Sequence, residues 1–162
     1  MTRHRAPELT FQQHVADYMV RVHGYGVLEQ TDITDTEHCI AEDQLWAFLT
    51  ATQSEQLKQL ADDYGADARD EVFRALRKEL ERTPLWMILR QGLQVRGLEF
   101  RLFYAPPRSQ ESTAAQKYRQ NRLTFRPHFY FGATNNEIDF VFFLNGLPIA
   151  GSTTRWRVEI WA

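Results

Sequence analysis

Cysteine is nearly absent from this chain. Cys39 stands alone among 162 residues, which excludes an internal disulfide framework. One thiol cannot build a zinc knuckle, and His4, His14, His23, His38 and His128 show no HExxH spacing. No apolar run approaches the roughly 20 residues that span a bilayer. The N-terminus, MTRHRAPEL, is basic but has no apolar stretch of the secretory kind. A cytoplasmic location without membrane contact is therefore expected. Neither sign of charge dominates, and a net charge of −2 argues against a wholly basic nucleic-acid binder. There is no GxxxxGK[ST] to hold ATP, and neither Ser54 nor Ser152 lies in a GxSxG context. Gly24-Tyr25-Gly26 is too short for a phosphate loop and reads as a helix stop.

With 43% hydrophobic residues, eleven Phe and four Trp, the chain can bury a core of large side chains within one domain spanning 1–162. Charge is unevenly placed. EQTDITDTEHCIAED (29–43) is acidic with no Lys or Arg, whereas KYRQNRLTFR (117–126) carries four basic residues and no acid. Lys117, Arg119, Arg122 and Arg126 are thus candidates for duplex phosphate contact, although a solvated strand edge accounts for them equally well.

Helical periodicity fills the first half. Residues 8–23 place Phe11, Val15, Tyr18, Met19 and Val22 on one side, with Thr10 as a candidate cap. A short strand and polar loop follow, and helical patterns then run from about 41 to 95. Ser54 is a candidate cap, and Pro84 stands at the tolerated first position of a helix. Trp46, Phe48 and Leu49 read as core. After Gly97 the period shortens. LEFRLFYA and RLTFRPHFYF read as strands, with one short helix predicted in the loop between them. Pro127 predicts an edge or a break. NEIDFVFFLNGLPIA reads as a hairpin turning at Asn145-Gly146. The predicted class is α/β of an α+β kind: N-terminal helices packed on a mixed, mostly antiparallel sheet.

Asp139 heads the first strand of that hairpin. An Asp there and a Glu on the neighbouring strand can share Mg²⁺, and a Lys two residues after the Glu points to the same face. With IDFVFFLNGLPIA, the preceding NRLTF and the helix ending in HGYG, residues 8–150 resemble the N-terminal nuclease domain of the R (restriction, DNA-translocating) subunit of type I restriction enzymes. That family belongs to the PD-(D/E)xK nuclease superfamily. The resemblance implies a restriction-endonuclease-like core, incomplete at its C-terminal end, and Mg²⁺-dependent cleavage of double-stranded DNA. It also implies partnership with methyltransferase and specificity subunits.

Carried over residue by residue, Asp139 matches the family's metal-binding, catalytic Asp. The family's first-helix acid falls at Glu8 or Gln12. Its Glu-x-Lys falls on Thr153-Thr154-Arg155. Thr153 supplies no anionic ligand, and Arg155 retains charge for phosphate contact but cannot serve as a base near neutrality. Family character ends after Ala150, so 151–162 is expected to be foreign sequence. A migrated site would instead draw a carboxylate from Glu159 on an alternating strand. The expected activity is accordingly little or none, with a non-catalytic DNA-binding or restriction-complex interaction module as the alternative.

Overall fold

The computed structural model describes the backbone of residues 5–131, 136–153 and 157–160, and the side chains of 11–131 and 137–152. Helix α1 (Arg5–Arg21) leads into a two-residue strand, β1 (Gly26–Val27). Four helices follow: α2 (Glu42–Thr52), α3 (Ser54–Tyr64), α4 (Ala68–Leu80) and α5 (Leu85–Gln91). A small antiparallel hairpin, β2 (Leu93–Val95) and β3 (Leu98–Phe100), separates them from α6 (Thr113–Tyr118). The main sheet uses β4 (Leu123–Phe131), β5 (Asn136–Leu144), β6 (Leu147–Thr153) and β7 (Arg157–Ile160). Its strand order is β1-β4-β5-β6-β7, with β1 parallel to β4 and the other pairs antiparallel. The fold is therefore mixed α+β, with helices first and a mostly antiparallel sheet after them. Among the described residues, no helix is long and apolar enough to cross a membrane.

The helices form because their apolar positions recur every three or four residues. On α4 that spacing buries Val72, Phe73 and Leu76, and on α2 it buries Leu45, Phe48 and Leu49. These side chains join Ile88, Phe100 and Leu102 in the larger core. A second cluster sits against the sheet, where Val141 and Phe143 of β5 meet Leu28 and Ile33. Trp46 is only partly buried at the margin of the larger core.

Helix α1 departs from its expected orientation. Phe11, Tyr18 and Val22 are 59%, 56% and 59% exposed, while Gln12 is 5% exposed. The helix is thus turned so that a polar residue enters the interior and three predicted core residues do not. Hydrophobic spacing alone cannot see that choice, because Phe11 and Gln12 lie only about 100° apart on the helix. Two predicted caps also shift. Helix α1 is already formed at Arg5, well before Thr10, and the residue capping α3 is Gln53 rather than Ser54. Pro84 is itself the cap of α5, one place before the first turn. Pro127 matches its expectation: the parallel partner β1 ends opposite Phe125, and His128 beyond it has φ 52°.

The acidic segment is held down rather than free. Asp35 and Ile40 bridge to each other, and the Asp35 carboxylate accepts from Arg77 Nε at 2.7 Å and from the His38 backbone N–H at 3.0 Å. Arg77 also pairs with Glu42, tying this loop to α2 and α4. Burial pushes the Asp35 carboxyl up, but the His38 N–H, the Arg77 guanidinium and the His38 ring together hold it below the ordinary carboxylate value.

The Asn-Gly turn of the β5–β6 hairpin is buried. Asn145 is fully inaccessible and has φ 52°, a conformation that Asn tolerates better than most residues. Its Oδ1 accepts from the Arg122 N–H at 2.6 Å, and its Nδ2 donates to the Leu102 carbonyl at 2.9 Å and to Asn121 Oδ1 at 3.1 Å. Gly146 lies against the start of α2, where its carbonyl accepts from the Ala41 N–H at 2.9 Å. A turn that normally faces water is here the joint between sheet and helices.

Candidate functional site

Asp139 lies in the first half of β5, between the half-buried Ile138 and the buried Phe140. Phe140 and Phe142 stack against each other and meet Phe125 at tilted angles, so the strand beneath the carboxylate is fixed by aromatic packing. Helix α1 contributes one neighbour. Gln12 Nε2 donates to Asp139 Oδ1 at 3.0 Å across 127 residues of sequence. Gln12 Oε1 is buried and has no hydrogen-bond partner among the described residues.

Of the two first-helix candidates, Gln12 is the one whose side chain is described, and it meets Asp139. Glu8 falls within α1 one turn earlier, but its side chain lies outside the described residues, as do those of Thr153, Arg157 and Glu159. Thr154 and Arg155 lie outside the described backbone altogether.

Register still locates some of these positions. Phe140 pairs with Ser152 and Val141 with Gly151, so one further step along the ladder sets Thr153 opposite Asp139. Glu159 pairs with Gly151, which in turn pairs with Val141. Because directly paired antiparallel residues share a face, positions 139, 141, 151 and 159 fall on one face of the sheet. Two strand spacings set position 159 about 10 Å across the sheet from β5.

A second polar pair was not legible beforehand. His128 Nδ1 contacts Glu137 Oε1, and Glu137 lies two residues before Asp139 on the same strand. Nothing in the spacing of a lone His and a lone Glu announces this contact, because it depends on the β4–β5 register. Among the described residues, no three His, Cys, Asp or Glu side chains converge as a metal site would require.

The basic candidates do different things. Arg126 is largely interior: Nη1 donates to the Leu28 carbonyl and to Glu29, both at 3.2 Å, and its side chain is 17% exposed. It ties β4 to the segment after β1, so it does not offer the free guanidinium expected of a phosphate contact. Arg119 donates to the Gln110 carbonyl at 3.1 Å, Arg122 reaches Gln44 at 3.5 Å, and Lys117 Nζ lies 5.4 Å from the centre of the Tyr104 ring.

A Mg²⁺ site of the expected kind needs hard, mostly anionic oxygens. One group at Asp139 is the neutral Gln12 amide, whose N–H is directed at the carboxylate. The orphaned Gln12 Oε1 adds a weak oxygen donor but no charge. Gln12 itself supplies no second carboxylate to such a centre. No protein-family model matches the chain, and no curated protein or solved structure does either.

Proposed function

We propose that this chain is a remodelled nuclease-type domain of the type I restriction R-subunit kind, acting in the cytoplasm on double-stranded DNA and retaining the fold but little or no cleavage. The observation that carries this reading is the Gln12–Asp139 hydrogen bond. It supports a first helix brought to the Asp at the head of the IDFVFFLNGLPIA hairpin, which is the arrangement the resemblance implies, with an amide at the helix position.

The chemistry follows from what each position supplies. An active centre of this class offers two carboxylates to Mg²⁺ and a Lys to the scissile phosphate. Gln12 replaces charge with a dipole, and Thr153 on the neighbouring strand replaces a second carboxylate with a hydroxyl. Each missing charged group costs about 10²-fold or more in rate, so the combined loss takes hydrolysis close to background. The decisive assay is nicking of supercoiled plasmid by the purified chain in Mg²⁺, beside Asp139→Ala. Equal, background-level nicking is the expected result. Robust Mg²⁺-dependent cutting that Asp139→Ala abolishes refutes the loss of activity.

The exposed Arg119 and the half-buried Lys117 favour a second, non-catalytic reading as a binding module for DNA or for methyltransferase and specificity subunits. It predicts salt-sensitive duplex binding that is indifferent to Mg²⁺ and to Asp139→Ala, or co-purification with such a complex. Failure of both sinks it.

A further inference from the structure

A cavity of about 740 Å³ opens between α5, the segment after β3 and the β5–β6 hairpin. Its size falls within the about 300–1,000 Å³ of small-ligand clefts. Trp86, Phe103 and Tyr104 give it aromatic walls, and Leu144 and Ile149 add aliphatic surface from the hairpin. Trp86 is 45% exposed, which is costly for an indole unless something covers it.

Two arginines line this apolar cleft, Arg90 from α5 and Arg101 from the segment after β3. They are neighbours: Arg101 Nη1 lies 3.4 Å from the Arg90 carbonyl. Arg101 pairs with Glu99 at 3.0 Å in an exposed contact. Arg90 has no ion-pair partner among the described residues. Positive charge therefore exceeds negative charge at the mouth.

The walls are held in place without a ligand. Asn121 accepts from the Tyr104 N–H at 3.2 Å and donates to its carbonyl at 2.7 Å. Asn145 donates to the Leu102 carbonyl just before it. Five residues of extended strand, about 17 Å, separate Leu144 from Asp139, so this cleft is distinct from the site described above.

We infer that the cleft binds a small anion with a flat apolar body, its ring against Trp86, Phe103 and Tyr104 and its acidic head on Arg90 and Arg101. A wholly apolar occupant would leave the Arg90 charge uncompensated at the rim. Inorganic phosphate would leave the aromatic walls wet. Charge complementarity selects an anion, and the three aromatic rings select a planar body. Either a carboxylate or a phosphate monoester meets these requirements.

The test is calorimetric titration of the full chain with 2-naphthoate, with its neutral counterpart 2-naphthamide and with deoxyadenosine monophosphate. Saturable one-to-one binding of an acid is expected, with the neutral amide weaker by about tenfold, the value of a hydrogen bond to a charged group. Arg90→Gln and Arg101→Gln should each weaken the acid by about that factor and leave the amide unchanged. Both side chains are on the surface, and unchanged thermal midpoints would verify that the variants fold. Binding by naphthoate alone assigns a carboxylate head, and binding by the nucleotide alone a phosphate head; either supports the site. Equal affinity for acid and amide, indifference to both substitutions, or no saturable binding of any probe overturns it.

Discussion

Replacing Gly146 by Ala should be among the most damaging single-methyl additions available to this protein. Two separate penalties apply. Its φ of +80° is one that an L-residue adopts only at a cost of about 1–2 kcal/mol. A Cβ there would also stand 2.3 Å from the Ala41 carbonyl oxygen and 3.0 Å from both Gln44 Cβ and Leu45 N. Ordinary carbon–oxygen contacts close at about 3.3 Å, so roughly 1 Å of movement is needed against backbone. Such overpacking costs a further 1–3 kcal/mol or about that. The summed loss of about 2–5 kcal/mol is a large fraction of the about 5–15 kcal/mol that holds a typical domain folded.

Gly97 provides the internal control. Its φ is +85°, yet no atom lies within 4 Å of the Cβ position. Gly97→Ala should therefore lose only the backbone share, about 1–2 kcal/mol. Urea denaturation of parent and both variants, followed by circular dichroism with slopes checked for constancy, measures the difference. Equal losses for the two variants would refute the claim that the hairpin turn is docked against the start of α2.

Two further outcomes follow from the acidic loop. The Asp35 carboxyl is held below its ordinary value, so its contribution is present above the unfolded value of about 3.9 and is lost as pH falls through the folded value. Asp35→Asn should thus be less stable than the parent at pH 7, with a gap that narrows below about pH 4; urea midpoints that differ by the same amount at both pH values would contradict this. The Cys39 thiol, pushed up to about 12 by burial and then by the nearby Asp35 charge, should react slowly with a thiol reagent at neutral pH. The rate should rise sharply in denaturant, and equal rates in native and denatured protein would show that the thiol is not protected.

Much of this architecture is dictated locally. The helix-then-strand order, the burial of Phe48 and Leu76, the break at Pro127 and the reversal at Asn145-Gly146 follow from side-chain period and turn chemistry. These effects act over a few residues, so they survive in the order of the letters. The strand that carries Asp139 was likewise legible, because its apolar run is a local fact.

What folding alone decided is long-range. Phe11 and Gln12 are adjacent letters, and only the packing of α1 on the sheet sets which one turns inward. Arg126 reads as a surface cation until Glu29 and the Leu28 carbonyl come within reach of it. The Asn-Gly turn reads as solvent-exposed until Arg122, Leu102 and Asn121 close around it. Trp86 and Tyr104 give no sign of sharing a cleft with Arg90. Each depends on contacts between segments tens of residues apart, which the period of either segment does not encode. The sequence determined the elements; the tertiary structure brought Gln12 to Asp139, because a helix's rotation is set by the whole surface it lies on.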